Sequence, residues 1–177
     1  MSPITWYTGG NRWDLSPGYE HNNLRFGRRI VDGCVTCHMG QIAPLPDKPD
    51  QFAANPFPEE AIGCERCHGP GKPHVDFSTG SDVMVNPAKL PPLQRDHVCF
   101  QCHLIGEHRL LRYGRTEFDF RPGDLVTDIW TILVKGTGIA EDGTMAAVSQ
   151  VEQMLSSTCY LQSNQQLGCI SCHDPHR

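Results

Sequence analysis

The sequence predicts a mainly coil chain with short α-helices and little or no β-sheet, wrapped around a filling that is not its own side chains. Three observations carry that expectation. Seventeen glycines and fourteen prolines make up more than a sixth of the 177 residues. Aromatic residues are only 8% of the chain. A chain so rich in turn formers and so poor in large side chains buries too little apolar surface to hold itself together. Third, eight of the nine cysteines fall in four evenly built pairs. The length suits one domain, and residues 1–177 are read as one. No apolar run approaches the ~18 residues of a membrane span. With 15 basic against 20 acidic residues and no basic block, nucleic acid is excluded as a partner.

The pairs are Cys34-Val-Thr-Cys37, Cys64-Glu-Arg-Cys67, Cys99-Phe-Gln-Cys102 and Cys169-Ile-Ser-Cys172, each followed at once by histidine: His38, His68, His103 and His173. C-x-x-C-H is the attachment signature of a c-type haem. Each thiol adds across a porphyrin vinyl group, and the adjacent imidazole reaches the iron from one face. Four C-x-x-C pairs could also build two four-cysteine zinc sites or hold iron–sulfur clusters. Neither explains the histidines: at about 5% of the chain, four chance placements have odds on the order of one in 100,000. The expected cofactor is therefore four covalently attached haem c groups, one for about 44 residues. The porphyrins would supply the missing apolar filling and would lie close together. Eight propionates and four ferric cores take the charge from −5 to about −9 oxidised and about −13 reduced.

Along the chain, residues 1–33 carry Trp6, Tyr7, Trp13, Tyr19 and Phe26, an aromatic cluster suited to a porphyrin face or a neighbouring chain. Three motifs then crowd into 34–103, and the fourth follows at 169–173. The proline-rich stretches 39–63 and 69–98 read as extended loops. Asp124 to Lys135 shows helical spacing at Leu125, Ile129 and Ile132/Leu133, although its β-branched content leaves a strand open. Thr144 to Leu161 reads as a helix through Val148, Val151, Leu155 and Cys159. Short helices are expected to begin at each C-x-x-C-H.

Each iron keeps one axial position beyond its proximal histidine. His21, His74 and His176 are the distal candidates, with Met154 and His97 competing for the fourth position. His74 and His176 each follow a glycine- or proline-containing turn after a motif. Met39, Met84 and Met145 are weaker candidates, and His108 reads as a surface residue in Gly-Glu-His-Arg. A methionine at one iron would raise its potential above the others. Cys159 reads as a buried, unreactive thiol.

With these motifs in place, the chain resembles the multihaem c-type cytochrome superfamily. Gly63 to His74 (GCERCHGPGKPH) is similar to the branch containing the tetrahaem acceptor of hydroxylamine oxidoreductase. Ala61–His74, Val98–Leu104, Phe120–Asp124 and Val151–His176 are similar to exported bacterial multihaem cytochromes, many with tetratricopeptide repeats. Such members continue past Cys-His-Asp-Pro-His into further haem motifs, whereas this sequence stops at Arg177. The resemblance implies electron transfer in the periplasm or outside the cell.

Met-Ser-Pro-Ile-Thr-Trp lacks the basic and apolar regions of a secretory signal, yet covalent haem attachment requires export. The sequence therefore reads as a processed or partial form. The expected role is a relay without a substrate, and so not an enzyme, passing electrons to redox partner proteins or to copies of itself in a filament. The alternative is an oxidoreductase acting on a small nitrogen or sulfur compound. That reading needs an open iron, and neither the surplus histidines nor the absence of a C-x-x-C-K motif favours it.

Overall fold

A computed structural model describes residues 1–77, 84–134 and 149–177. These residues form mostly coil, with six short helices and two two-stranded ribbons among them. Little sheet was expected, and little is present.

The first ribbon pairs β1 (Ile4–Tyr7) with β2 (Arg12–Leu15) in antiparallel register. Thr8-Gly9-Gly10 makes the turn, and Asn11 (φ 48°) takes the left-handed conformation that asparagine tolerates. Trp6 faces Trp13 across the strands with ring centroids 5.3 Å apart. Part of the aromatic cluster is thus spent on a cross-strand pair. Tyr19 is fully buried and donates its hydroxyl to the Met1 carbonyl, whereas Phe26 is exposed.

Three helices end on a haem motif, two of them beginning upstream of it and one, as expected, within it. They are α1 (Asp32–His38), α2 (Glu65–His68) and α4 (Pro92–His103), and the fourth motif forms a 3-10 turn at Cys169–Ser171. α1 and α4 start upstream because the start signals lie there: Asp32 in the first turn of α1, and Pro92 as the first residue of α4. After α2, Gly69 turns the chain out at φ 74°, a conformation glycine adopts freely. Residues 69–98 are therefore not one extended loop, since α3 (Lys72–Phe77), a 3-10 turn (Pro87–Lys89) and most of α4 lie within them. Residues 39–63 stay irregular and fold back on themselves through bridges between Gln41 and Glu59 and between Pro44 and Phe52. That return brings the Ala61 carbonyl so close to Gly40 that no side chain fits there.

The second ribbon pairs β3 (His108–Leu111) with β4 (Trp130–Leu133). It corrects the helical reading of 124–135: Val126–Asp128 is a 3-10 turn, and the β-branched and aromatic residues after it join a strand partner. Lys135 and residues 144–148, with Met145 and Val148, lie outside the described residues. Within the remainder of 144–161, the chain forms two helices, α5 (Gln150–Ser156) and α6 (Thr158–Gln162). Ser149 and Glu152 make a reciprocal capping box at the start of α5. Ser157 breaks the helix by turning extended and capping α6 through the Tyr160 amide, 3.2 Å away.

A small side-chain core does exist. Phe100, Phe120, Val126, Ile129, Trp130 and Val151 pack together, with Cys99, Met154, Leu155 and Cys169 against them. The core joins α4, the β3–β4 ribbon and α5, so motifs 3 and 4 rest on the best-packed part of the chain.

Candidate haem-binding site

The four motifs converge on α4. Its Gln101 carbonyl accepts from the Cys37 thiol of motif 1, with the sulfur 3.8 Å away. Its Cys99 and Cys169 of motif 4 pack against the same core and shift each other's acidity. Gln101 donates to the Arg66 carbonyl of motif 2 at 3.2 Å. Motifs 1 and 2 also meet directly, through Arg66 Nη2 and Thr36 Oγ1 at 3.3 Å. The fourth motif returns from far along the chain and is pinned by Asp96, whose carboxylate accepts from the Cys169 amide at 3.2 Å. Asp96 is buried and ion-paired to Arg95 at 3.0 Å. Gly168 is needed beside that pair, because a Cβ there would strike both the Arg95 guanidinium and the Asp96 carboxylate.

The thiols feel these surroundings. The adjacent Cys102 thiol, opposed by burial and helped by Arg109 and Arg66, holds the Cys37 thiol down at about 7. Cys102 is pushed up by the Cys37 thiol and by burial. Cys99 is lowered by the neighbouring Cys169 thiol, and Cys169 is raised by Cys99. Burial raises Cys67. The thiols thus meet in twos from different motifs. Among the described residues, no three His, Cys, Asp or Glu side chains converge as around a tetrahedral zinc.

The histidines fall into distinct settings. His68 ends α2 half-buried, with Nδ1 2.7 Å from the Val85 carbonyl. A carbonyl only accepts, so Nδ1 carries the proton and Nε2 keeps a free lone pair, the usual arrangement of a metal-bound histidine. His97 shows the reverse. It is buried in α4, and its Nδ1 accepts from the Val126 amide at 2.8 Å. Burial holds its imidazole below the ordinary value against the nearby Asp96 and Asp128. His38, His103 and His173 are exposed at the ends of their motifs, as are His21 and the β3 residue His108. His74 rides on α3 rather than on a turn, and with Cys64 and Met84 it borders a cavity of about 640 Å³. Met154 places its sulfur 4.0 Å from Cys169 Sγ. Cys159 is exposed, contrary to the buried role expected, because α6 turns it away from the core after the break at Ser157.

A second cavity, of about 740 Å³, lies between motifs 2 and 4 and is lined by Cys64, Cys67, His68, Cys172, His173 and His176. That volume is in the range of sites for large organic cofactors. The rings of His68 and His176 stand there with centroids 6.0 Å apart and planes 10° from parallel. Two arginines beside Cys37 and Cys102 have donors to spare: Arg66 Nε and Arg109 Nε and Nη2 are buried without a partner among the described residues. Buried cationic donors of this kind suit an anionic group such as a propionate. The C-x-x-C-H motifs, the cavity and the spare donors all fit haem c. Arg66, a variable position inside motif 2, and Arg109 and Asp96, outside any motif, were missed by sequence reasoning. The one local hint was a glycine immediately before three of the four motifs, Gly33, Gly63 and Gly168.

Comparison with known proteins points the same way. The profile of the family "Cytochrome c554 and c-prime" matches residues 20–69. The structure titled "Crystal Structure of Outer Cell Wall Cytochrome OcwA" shares the fold, with a TM-score of 0.52 at 20% identity over 98% of this chain. The chain spans only 38% of that protein's length. No curated protein sequence matches. Together with the C-x-x-C-H motifs, the family and fold matches support a multihaem c-type cytochrome.

Proposed function

We propose that this chain, read as a multihaem c-type cytochrome, holds four haem c groups and relays electrons among them without a substrate of its own. Cys34 and Cys37, Cys64 and Cys67, Cys99 and Cys102, and Cys169 and Cys172 form the thioether bonds. In each, the S–H bond breaks while S–C and C–H bonds form across a vinyl group, with no net redox change. His38, His68, His103 and His173 supply the proximal ligands. The convergence of all four motifs on α4 is the observation that carries the reading, because it keeps every attachment site within reach of another.

Bound haem supplies an iron that gains and loses one electron at a time. The protein sets the conditions. Val85 holds His68 in the ligating tautomer. Arg66 and Arg109 place positive charge beside Cys37 and Cys102, which favours electron uptake there. The packed core under motifs 3 and 4 fixes their positions.

Among the described residues, no helix is long and apolar enough to cross a membrane. The cell-wall location in the neighbour's title favours a periplasmic or extracellular relay, handing electrons to partner proteins or to further copies in a filament. Intact-mass measurement after acid–acetone extraction is expected to retain four haem increments. Fewer than four, or bound zinc, refutes the proposal. Robust turnover of nitrite, hydroxylamine or tetrathionate with viologen electrons would refute the relay role in favour of an enzyme. Electron micrographs distinguish single particles from filaments.

A further inference from the structure

We propose that His68 and His176 are the two axial ligands of one iron, in the haem attached through Cys64 and Cys67, so that the segment after motif 4 completes the site of motif 2. The assignment rests on the haem-bearing reading above. Four observations carry it. Both rings line the 740 Å³ cavity, together with Cys64 and Cys67. Their centroids are 6.0 Å apart, and two metal–nitrogen bonds of about 2 Å plus the inner halves of two imidazole rings span roughly that distance. The bond from Nδ1 to the Val85 carbonyl leaves the His68 Nε2 lone pair free. Asp174 ties His176 to the turn after motif 4: its carboxylate accepts from the His176 amide at 3.0 Å and stands 3.9 Å from Nδ1.

His97 shows that this pattern is selective. The Val126 amide can only donate, so Nδ1 of His97 must be unprotonated and the neutral ring carries its proton on Nε2. A protonated nitrogen has no lone pair for iron. His97 is therefore a structural histidine that joins α4 to the Val126 turn, and it leaves the competition for a distal position.

The planes of the two imidazoles supply a signature that a surface histidine would not give. Axial imidazoles lying near parallel produce a rhombic low-spin ferric spectrum in electron paramagnetic resonance, whereas crossed planes produce a strongly axial one. With a 10° interplanar angle, one rhombic signal is expected from this haem. In His176→Ala that signal should vanish, one iron in four should become high-spin, and added imidazole should restore the low-spin state. His176→Met should stay low-spin, with one midpoint potential shifted upward.

Haem count separates the two layers of the argument, since the thioether bonds do not depend on His176. Fewer than four haem increments in the unaltered protein overturns the four-haem reading beneath. A His176→Ala variant with four haems and unchanged low-spin spectra overturns the axial assignment. A new high-spin iron with the rhombic signal intact also overturns it, by placing His176 on a different haem.

Discussion

At the scale of single residues, side-chain roles are set by backbone groups far away in sequence. His68 and His97 are the same residue type, each beside a C-x-x-C pair. A carbonyl at Val85 leaves one with a free Nε2 lone pair, and an amide at Val126 leaves the other with its proton on Nε2. Local sequence separates them only in part: His68 closes a C-x-x-C-H motif, whereas His97 stands two residues before one, where it stood level with Met154 as a distal candidate. Arg109 is a parallel case. Its guanidinium lies 3.6 Å over the Trp130 ring, donates to the Gln101 carbonyl at 2.6 Å, and leaves two nitrogens unpartnered. Removing that charge in Arg109→Gln is expected to lower the potentials of the haems on motifs 1 and 3. A unit charge at about 10 Å and an effective dielectric of about 20 contributes roughly 1–2 kcal/mol, or about 40–80 mV for one electron. Arg109→Lys keeps the charge and should shift the potentials by less than that range. A redox titration followed at the haem absorption bands checks both.

At the scale of elements, what could be read locally was read well, and what needed a partner was not. The haem motifs, the short helices near them and the shortage of sheet all follow from residues close together in sequence. The β3–β4 ribbon does not: Ile129 to Leu133 has both helical spacing and β-branched content, and β3 some 20 residues earlier decides between them. Likewise, the return of residues 39–63 is visible only when Gln41 meets Glu59. Gly40 shows how tight that return is. Gly40→Ala would drive a Cβ into the Ala61 carbonyl, which is backbone and cannot swing aside. Overpacking of this kind costs about 1–3 kcal/mol. A lower guanidinium midpoint with haem content intact is the expected result. An unchanged midpoint would mean that the loop between motifs 1 and 2 opens freely.

For the molecule as a whole, charge is the governing quantity. The polypeptide carries −5, and haem loading makes it more negative with every electron accepted. Each uptake therefore makes the next less favourable, and the midpoints should spread into one broad, overlapping titration. Part of that spread is electrostatic repulsion through solvent, which salt screens over about 10 Å at 0.1 M. Raising ionic strength is therefore expected to narrow the titration and to lift its low-potential end most. A width independent of salt would place the spread in the axial ligands and the buried arginines instead.

The contacts among the motifs have a further consequence when drawn as a circuit. Motif 1 touches motif 2 through Thr36 and Arg66, and motif 3 through Cys37 and Cys102. Motif 4 touches motif 3 through Cys99 and Cys169, and motif 2 through His68 and His176. Gln101 and Arg66 close the link between motifs 2 and 3. The layout is a bridge circuit, with two parallel arms between motifs 1 and 4 and a cross-connection between the arms. A string of beads fails at its first broken link. In the proposed four-haem relay, the loss of either middle motif would leave a path through the other, so a faulty attachment there would lower the current without opening the line.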